Sequence, residues 1–151
     1  FYGGADSPVG AVQSVIQFTT TATLGNTENF GETFTGGYSR AKGAICSSTR
    51  ALFAGNGSPQ TNNIEYITMS SGGNGMKFGE LPVSGSACAG RLGCSSVTRG
   101  VTAGGGGSPA KDNSINYVNI ATFGDAVDFG DLTTTSTQYG AGCSNGHGGL
   151  G

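Results

Sequence analysis

Three groups of residues in this 151-residue chain have types and spacings that could do chemistry: glycine clusters, four cysteines, and one histidine among recurring acids. The run Gly104 to Gly107, followed by Ser108-Pro109, is dense enough for a phosphate cradle. Such a cradle must open a helix whose first amides face the anion. No G-x-x-x-x-G-K-[ST] run occurs, and the glycine clusters follow strands without opening a helix, so no nucleotide or other cofactor is expected. Cys88 and Cys94 stand as C-x5-C with His147 the sole histidine, which is not a zinc spacing, and no metal is expected. A Cys88–Cys94 bridge stays open beside the favoured reading of buried thiols, which fits assembly in a reducing cytoplasm. Glu32, Glu80 and Asp131 recur in register, as structural residues do, whereas a glycosidase needs two carboxylates brought together asymmetrically. A hydrolytic triad needs a histidine, and His147 sits where arginine stands in other copies, as a turn residue. The chain reads as a non-enzyme.

Composition narrows the classes further. Glycine is the outlier at 30 residues, while hydrophobic residues make up 35% and charged residues 11%. A disordered chain normally carries more charge, so small polar residues here replace charge on a folded surface. A net charge of −2 leaves no electrostatic footprint for nucleic acid. No apolar run approaches the roughly 20 residues of a membrane span, so no membrane insertion is expected.

The glycines punctuate a repeat. Ser7-Pro8, Ser58-Pro59 and Ser108-Pro109 recur at intervals of 51 and 50. Each precedes the same train: Ile16, Ile64 and Ile115, then an aromatic two residues on, then Gly25-Asn26, Gly73-Asn74 or Gly124-Asp125. Each train ends in Phe-Gly-acid at Phe30, Phe78 and Phe129, always 14 residues after the isoleucine. Cys46, Cys94 and Cys143 mark another equivalent position, read as small buried side chains between repeats. Within a unit, 44–48 and 51–55 form a hairpin, 64–69 alternates as a half-buried strand, and 76–81 follows a Gly-Asn-Gly turn. Four strands in about 50 residues make a propeller blade of kelch spacing. The expected fold is therefore all-β: kelch-like β-propeller blades in three repeats (1–43, 44–90 and 91–140) that are part of a larger ring. Residues 141–151 start a further blade or complete the first. The three phenylalanines are expected to be buried at equivalent places between blades.

The stretches "RALFAGN" (50–56) and "RGVTAGGGG" (99–107) resemble the kelch strand that ends in a glycine doublet, with phenylalanine where kelch blades usually carry tryptophan. "ATFGDAVDFGDL" (121–132) and "CSNGHGGLG" (143–151) resemble blades in predicted virion and tail-fibre proteins of marine cyanophages. That resemblance implies a virion protein assembled in the host cytoplasm, with other virion proteins as partners.

The ends of the chain do not match blade boundaries. Phe1-Tyr2 aligns with the second strand of a blade, and 141–145 reads as a lone first strand. Further blades from a longer parent chain, or a second copy, are the expected partners. Binding is expected where the copies differ, in the 4–1 and 2–3 loops at one end of the sheets. These carry Tyr38, Arg40, Lys42, Arg91 and Tyr139, together with Gln60, Asn62, Lys111 and Asp112. Such side chains suit a host-surface glycan through stacking and hydrogen bonds. A host-surface protein is the other expected ligand; a purely structural virion or scaffold role without ligand binding is the alternative, and a propeller-fold carbohydrate-active enzyme is the distant one.

Overall fold

The computed structural model describes residues 2–3, 14–34, 43–57, 60–106, 111–134 and 138–144. Eleven strands among them form three antiparallel sheets. Sheet I contains β1 (Tyr2–Gly3), β2 (Val15–Phe18) and β3 (Glu28–Glu32). Sheet II runs β4 (Gly43–Cys46), β5 (Arg50–Gly57), β6 (Gln60–Thr68), β7 (Met76–Glu80) in order. Sheet III repeats that order with β8 (Leu92–Ser95), β9 (Arg99–Ala103), β10 (Ser114–Asn119) and β11 (Val127–Asp131). The helical content of the described residues is one 3-10 turn, Gly85–Cys88, and none of their helices is long and apolar enough to cross a membrane. The all-β expectation holds, and each sheet is an open meander.

The fixed isoleucine-to-phenylalanine step has a backbone cause. Ile16, Ile64 and Ile115 pair with Gly31, Gly79 and Gly130, and the register slips immediately after each isoleucine. Phe30, Phe78 and Phe129 are the extra residues of three equivalent β-bulges. A bulge bends its strand and re-aims a side chain, so a one-residue insertion between the two strands would move the phenylalanine off its site.

Sheet II is covered on both faces, which explains the unbroken apolar run Ala51-Leu52-Phe53-Ala54 where a half-exposed strand would alternate. Ala51, Phe53 and Ile67 pack with Ile16 of sheet I, and Phe30 and Met69 lie against them. Leu52, Ile64, Tyr66 and Phe78 pack with Val118, Ile120 and Ala126 of sheet III. Backbones meet directly at the joints. A Cβ on Gly31 would lie 2.3 Å from the Gly73 carbonyl oxygen, and one on Gly79 would lie 2.0 Å from that of Gly124.

Two expectations about burial need correction. Phe78 is 4% exposed, Phe30 is half-buried, and Phe129 is 57% exposed. The difference follows position: Phe78 is covered by Phe123 of sheet III, whereas no further described sheet faces Phe129. The repeat-position cysteines are not buried either. Cys46 and Cys143 are exposed and Cys94 is intermediate, while the odd one, Cys88, is buried; all four thiols are free. On β4 the strand alternation turns Gly43 and Ile45 inward and leaves Ala44 and Cys46 outward.

Phe78→Ala is expected to cost about 3–5 kcal/mol, as removal of a core aromatic does. Urea denaturation at unchanged slope measures it, and an unaltered midpoint would place the ring outside the core. Gly79→Ala, which adds only one methyl against the Gly124 carbonyl, is expected to lose about 1–3 kcal/mol by overpacking.

Candidate functional site

In a meander of four antiparallel strands, the 2–3 turn and the exit of strand 4 lie at the same end. At that end of sheets II and III, three connections converge. These are the β7–β8 loop carrying the 3-10 turn, the β9–β10 turn, and the segment after β11. The Gly106 amide donates to the Ala89 carbonyl at 2.9 Å and the Tyr139 amide to the Gly90 carbonyl at 3.0 Å. A Cβ on Gly55 would lie 2.2 Å from the Cys88 carbonyl oxygen, so the 3-10 turn is seated directly on β5.

Arg91 holds this end together. Its side chain is sealed from solvent and makes an ion pair with Asp112, Nη1 to Oδ2, at 2.7 Å. Nε donates to Thr102 Oγ1 at 3.1 Å and Nη2 to Asn116 Oδ1 at 2.8 Å. Nη1 reaches the Ala87 carbonyl and Nη2 the Ser114 carbonyl, both at 3.4 Å. Asp112 accepts two further bonds from Ser114, through its backbone amide at 3.0 Å and its hydroxyl at 2.7 Å. A guanidinium carries five donors and no acceptor, so these partners occupy its donor capacity. Arg91 and Asp112 are thus spent inside the loop cluster, which corrects their reading as ligand-facing residues.

The other sequence-chosen residues divide. Asn62 is half-buried and donates to Glu80 Oε2 at 3.3 Å and to the Leu81 carbonyl at 3.2 Å, which closes the loop end of sheet II. Lys77, by hydrogen bond and by charge, and then Asn62 hold the Glu80 carboxyl below its ordinary range. Gln60 and Lys111 are exposed. Tyr139 is 58% exposed and has a positive φ of 55°, uncommon for a non-glycine residue. Its ring edge lies 3.4 Å from the Cβ position of Gly90, so the absence of a side chain there gives the ring its seat. Tyr38, Arg40 and Lys42 lie outside the described residues, as does His147.

Sequence reasoning missed the polar residue that follows the isoleucine in each train. Asn116 grips Arg91 of the preceding loop, and Glu65 Oε2 accepts the Phe34 amide of its own preceding loop at 2.6 Å. Both are buried. The signal was present in the recurring triplets Ile16-Gln17-Phe18, Ile64-Glu65-Tyr66 and Ile115-Asn116-Tyr117.

Among the described residues, no three His, Cys, Asp or Glu side chains converge to hold a metal ion. Burial pushes the Cys88 thiol up to about 11, with the Arg91 charge opposing and the Asp112 charge reinforcing the rise. No protein-family model matches the sequence, and no curated protein matches it significantly.

Arg91→Ala strands a largely buried carboxylate and three buried acceptors around it, and is expected to cost about 3 kcal/mol in thermal or urea unfolding. A loss below about 1 kcal/mol would show that the loop end relaxes around the gap. For the thiols, a reactive dye at about pH 8 is expected to label Cys46 in the native protein and Cys88 only after denaturation. Mass mapping of the labelled sites reads the outcome.

Proposed function

We propose that this chain is a non-enzymatic binding module whose sheets are kelch-like propeller blades of the virion and tail-fibre type, presenting their loop end to a host-surface glycan or protein. The observation that supports this most is the buried Arg91 cluster. It fixes two connections that differ between repeats, the β7–β8 loop and the β9–β10 turn, and Gln60, Lys111 and Tyr139 stand exposed at that end. Varied loops on a rigid scaffold are the usual arrangement of a recognition surface. An exposed tyrosine with a fixed backbone offers a stacking face at little entropic cost, and Gln60 and Lys111 add donors for sugar hydroxyls. The virion setting rests on the resemblance of the repeats, and the four free thiols agree with assembly in a reducing cytoplasm.

A purely structural virion role is the second reading. It draws on two exposed apolar side chains on different sheets, Leu24 and Phe129, which suit assembly better than sugar recognition.

Glycan-array and host-cell binding by the chain tests the leading reading. Tyr139→Ala and Lys111→Ala are each expected to weaken binding about tenfold, a change of about 1.4 kcal/mol, with melting unchanged. Binding to neither glycans nor host cells, from a protein with an intact melt, would leave the structural role.

A further inference from the structure

The joint between sheets II and III is a knob in a socket. Phe123 lies 5.1 Å from the Tyr66 ring, 5.5 Å from Phe78 and 4.8 Å from the Arg50 guanidinium. Arg50 Nη1 donates to the Ile120 and Ala121 carbonyls, each at 2.9 Å. Next to the knob, Asp125 Oδ1 accepts the Glu80 amide at 2.9 Å, and the Ala126 amide donates to the Glu80 carbonyl at 2.8 Å. The joint between sheets I and II repeats the clamp. There Asn74 Oδ1 accepts the Glu32 amide at 3.0 Å, and the Gly75 amide donates to the Glu32 carbonyl at 2.6 Å.

Among the described residues, both halves of this joint also occur unfilled. Sheet I carries the knob Leu24-Gly25-Asn26, in register with Phe123-Gly124-Asp125, and Leu24 is fully exposed. Sheet III carries the socket: Arg99 sits 4.7 Å over the Tyr117 ring, Tyr117 packs edge-on to Phe129 at 6.0 Å, and Phe129 is largely exposed. Among the described residues, nothing lies within 4 Å of a Cβ on Gly130, the counterpart of the tightly covered Gly79. Beside this socket is an open cavity of about 490 Å³ lined by Arg99, Phe129, Cys94 and Cys143.

A second pair of edges agrees. Gly142 lies on β8 as Gly93 of β8 lies on β4, with Cβ positions 2.4 and 2.3 Å from the facing carbonyl oxygens of Gly93 and Ala44. Residues 141–144 thus occupy the place of a first strand, while β1 is the edge of a three-stranded sheet that begins at the second.

We propose that a second copy of this chain docks head to tail, its Leu24-Gly25-Asn26 turn entering the Arg99–Tyr117–Phe129 socket and its β1 pairing with 141–144. Asn26 then accepts the Asp131 amide, and Arg99 donates to the carbonyls of Thr21 and Ala22, the counterparts of Ile120 and Ala121. The head-to-tail contact rests on the internal joint alone. On the propeller reading, the three sheets described in this 151-residue chain become six when two such chains meet, within the usual 4–8 blades. The contact is heterologous and closes into a two-fold ring.

Sedimentation of the 151-residue chain tests this. The expected species has twice the 14.9 kDa chain mass. Leu24→Asp and Phe129→Asp are each expected to give a monomer with an unchanged β-type circular dichroism spectrum, because both side chains are exposed in one copy. Asn26→Ala, a milder change in the same turn, is expected to weaken association about tenfold. Mixing the Leu24→Asp and Phe129→Asp chains leaves one intact knob and one intact socket, and is expected to restore a dimer with a single joint. A wild-type chain that stays monomeric at its solubility limit overturns the proposal. So does a dimer indifferent to all three substitutions, or a mixture that stays monomeric. Glycan binding at Tyr139 is read in a separate assay, so either result can fail without the other.

Discussion

The structure depends on backbone meeting backbone at the sheet joints. A methyl group on Gly79 would stand 2.0 Å from the Gly124 carbonyl oxygen, and one on Gly31 would stand 2.3 Å from that of Gly73. A Cβ at either place would force one sheet to shift against the other, so the joint in this tight form calls for glycine after the strand-4 bulge. The close approach brings the Asn74 and Asp125 side chains within hydrogen-bonding reach of the next sheet's partner, at Glu32 and Glu80. It also seats the bulged phenylalanine against the neighbouring turn. Glycine richness here is a packing requirement, and the low share of large apolar residues follows from it. Sheets that touch through peptide groups need fewer bulky side chains between them.

Arg91 solves the complementary problem at the loop end. The connections there are too polar to pack as a hydrophobic layer and too close together to be left hydrated. One buried guanidinium satisfies two carbonyls, a hydroxyl, an amide oxygen and a carboxylate drawn from the 3-10 turn, β9, the β9–β10 turn and β10. A buried pair of this kind adds little net stability against an apolar replacement, yet removing one partner is costly. Its effect is geometric. It fixes where the β9–β10 turn and the β7–β8 loop stand, and so where Lys111 is presented. The same place on sheet II uses Glu65 and the Phe34 amide instead, so the scaffold is constant while the lock differs between copies.

Much of the fold was legible in the sequence because the repeat is rigid. The 14-residue step, the Gly-Asx turns and the hairpin about Thr49-Arg50 each map onto a bulge, a joint or a turn. The site was less legible, for a physical reason. Loop residues are chosen by type, and Arg91 has the type of a ligand-binding side chain, but what decides its role is whether acceptors surround it. Those acceptors, Thr102, Asp112 and Asn116, are 11 to 25 residues away in sequence and share no motif with it. Cys46 misled in the opposite sense. Its recurrence marked a strand position, but strand alternation, not recurrence, sets which face it takes. Phe129 had the right sequence signal and a different exposure because burial belongs to the neighbouring sheet as much as to the residue.

The three knob positions carry different side chains on one backbone frame, which separates the strength of a joint from its existence. Gly72 fills nothing, and the joint between sheets I and II relies on its clamp and on Phe53, Ile67 and Met69 packing around Phe30. Phe123 adds a ring to a socket that already holds an arginine over a tyrosine. Leu24 stands at the equivalent place with an apolar side chain, and the free socket on sheet III has the same arginine, tyrosine and phenylalanine as the filled one. Discrimination among possible neighbours is a difference in affinity, and here it resides in the knob while the clamp is common to all. A joint that carries a knob is therefore expected to be stronger than one that does not, and the chain keeps a knobbed half-joint at its surface. Folding and association would then draw on one set of contacts, differing only in whether the knob and the socket belong to the same chain.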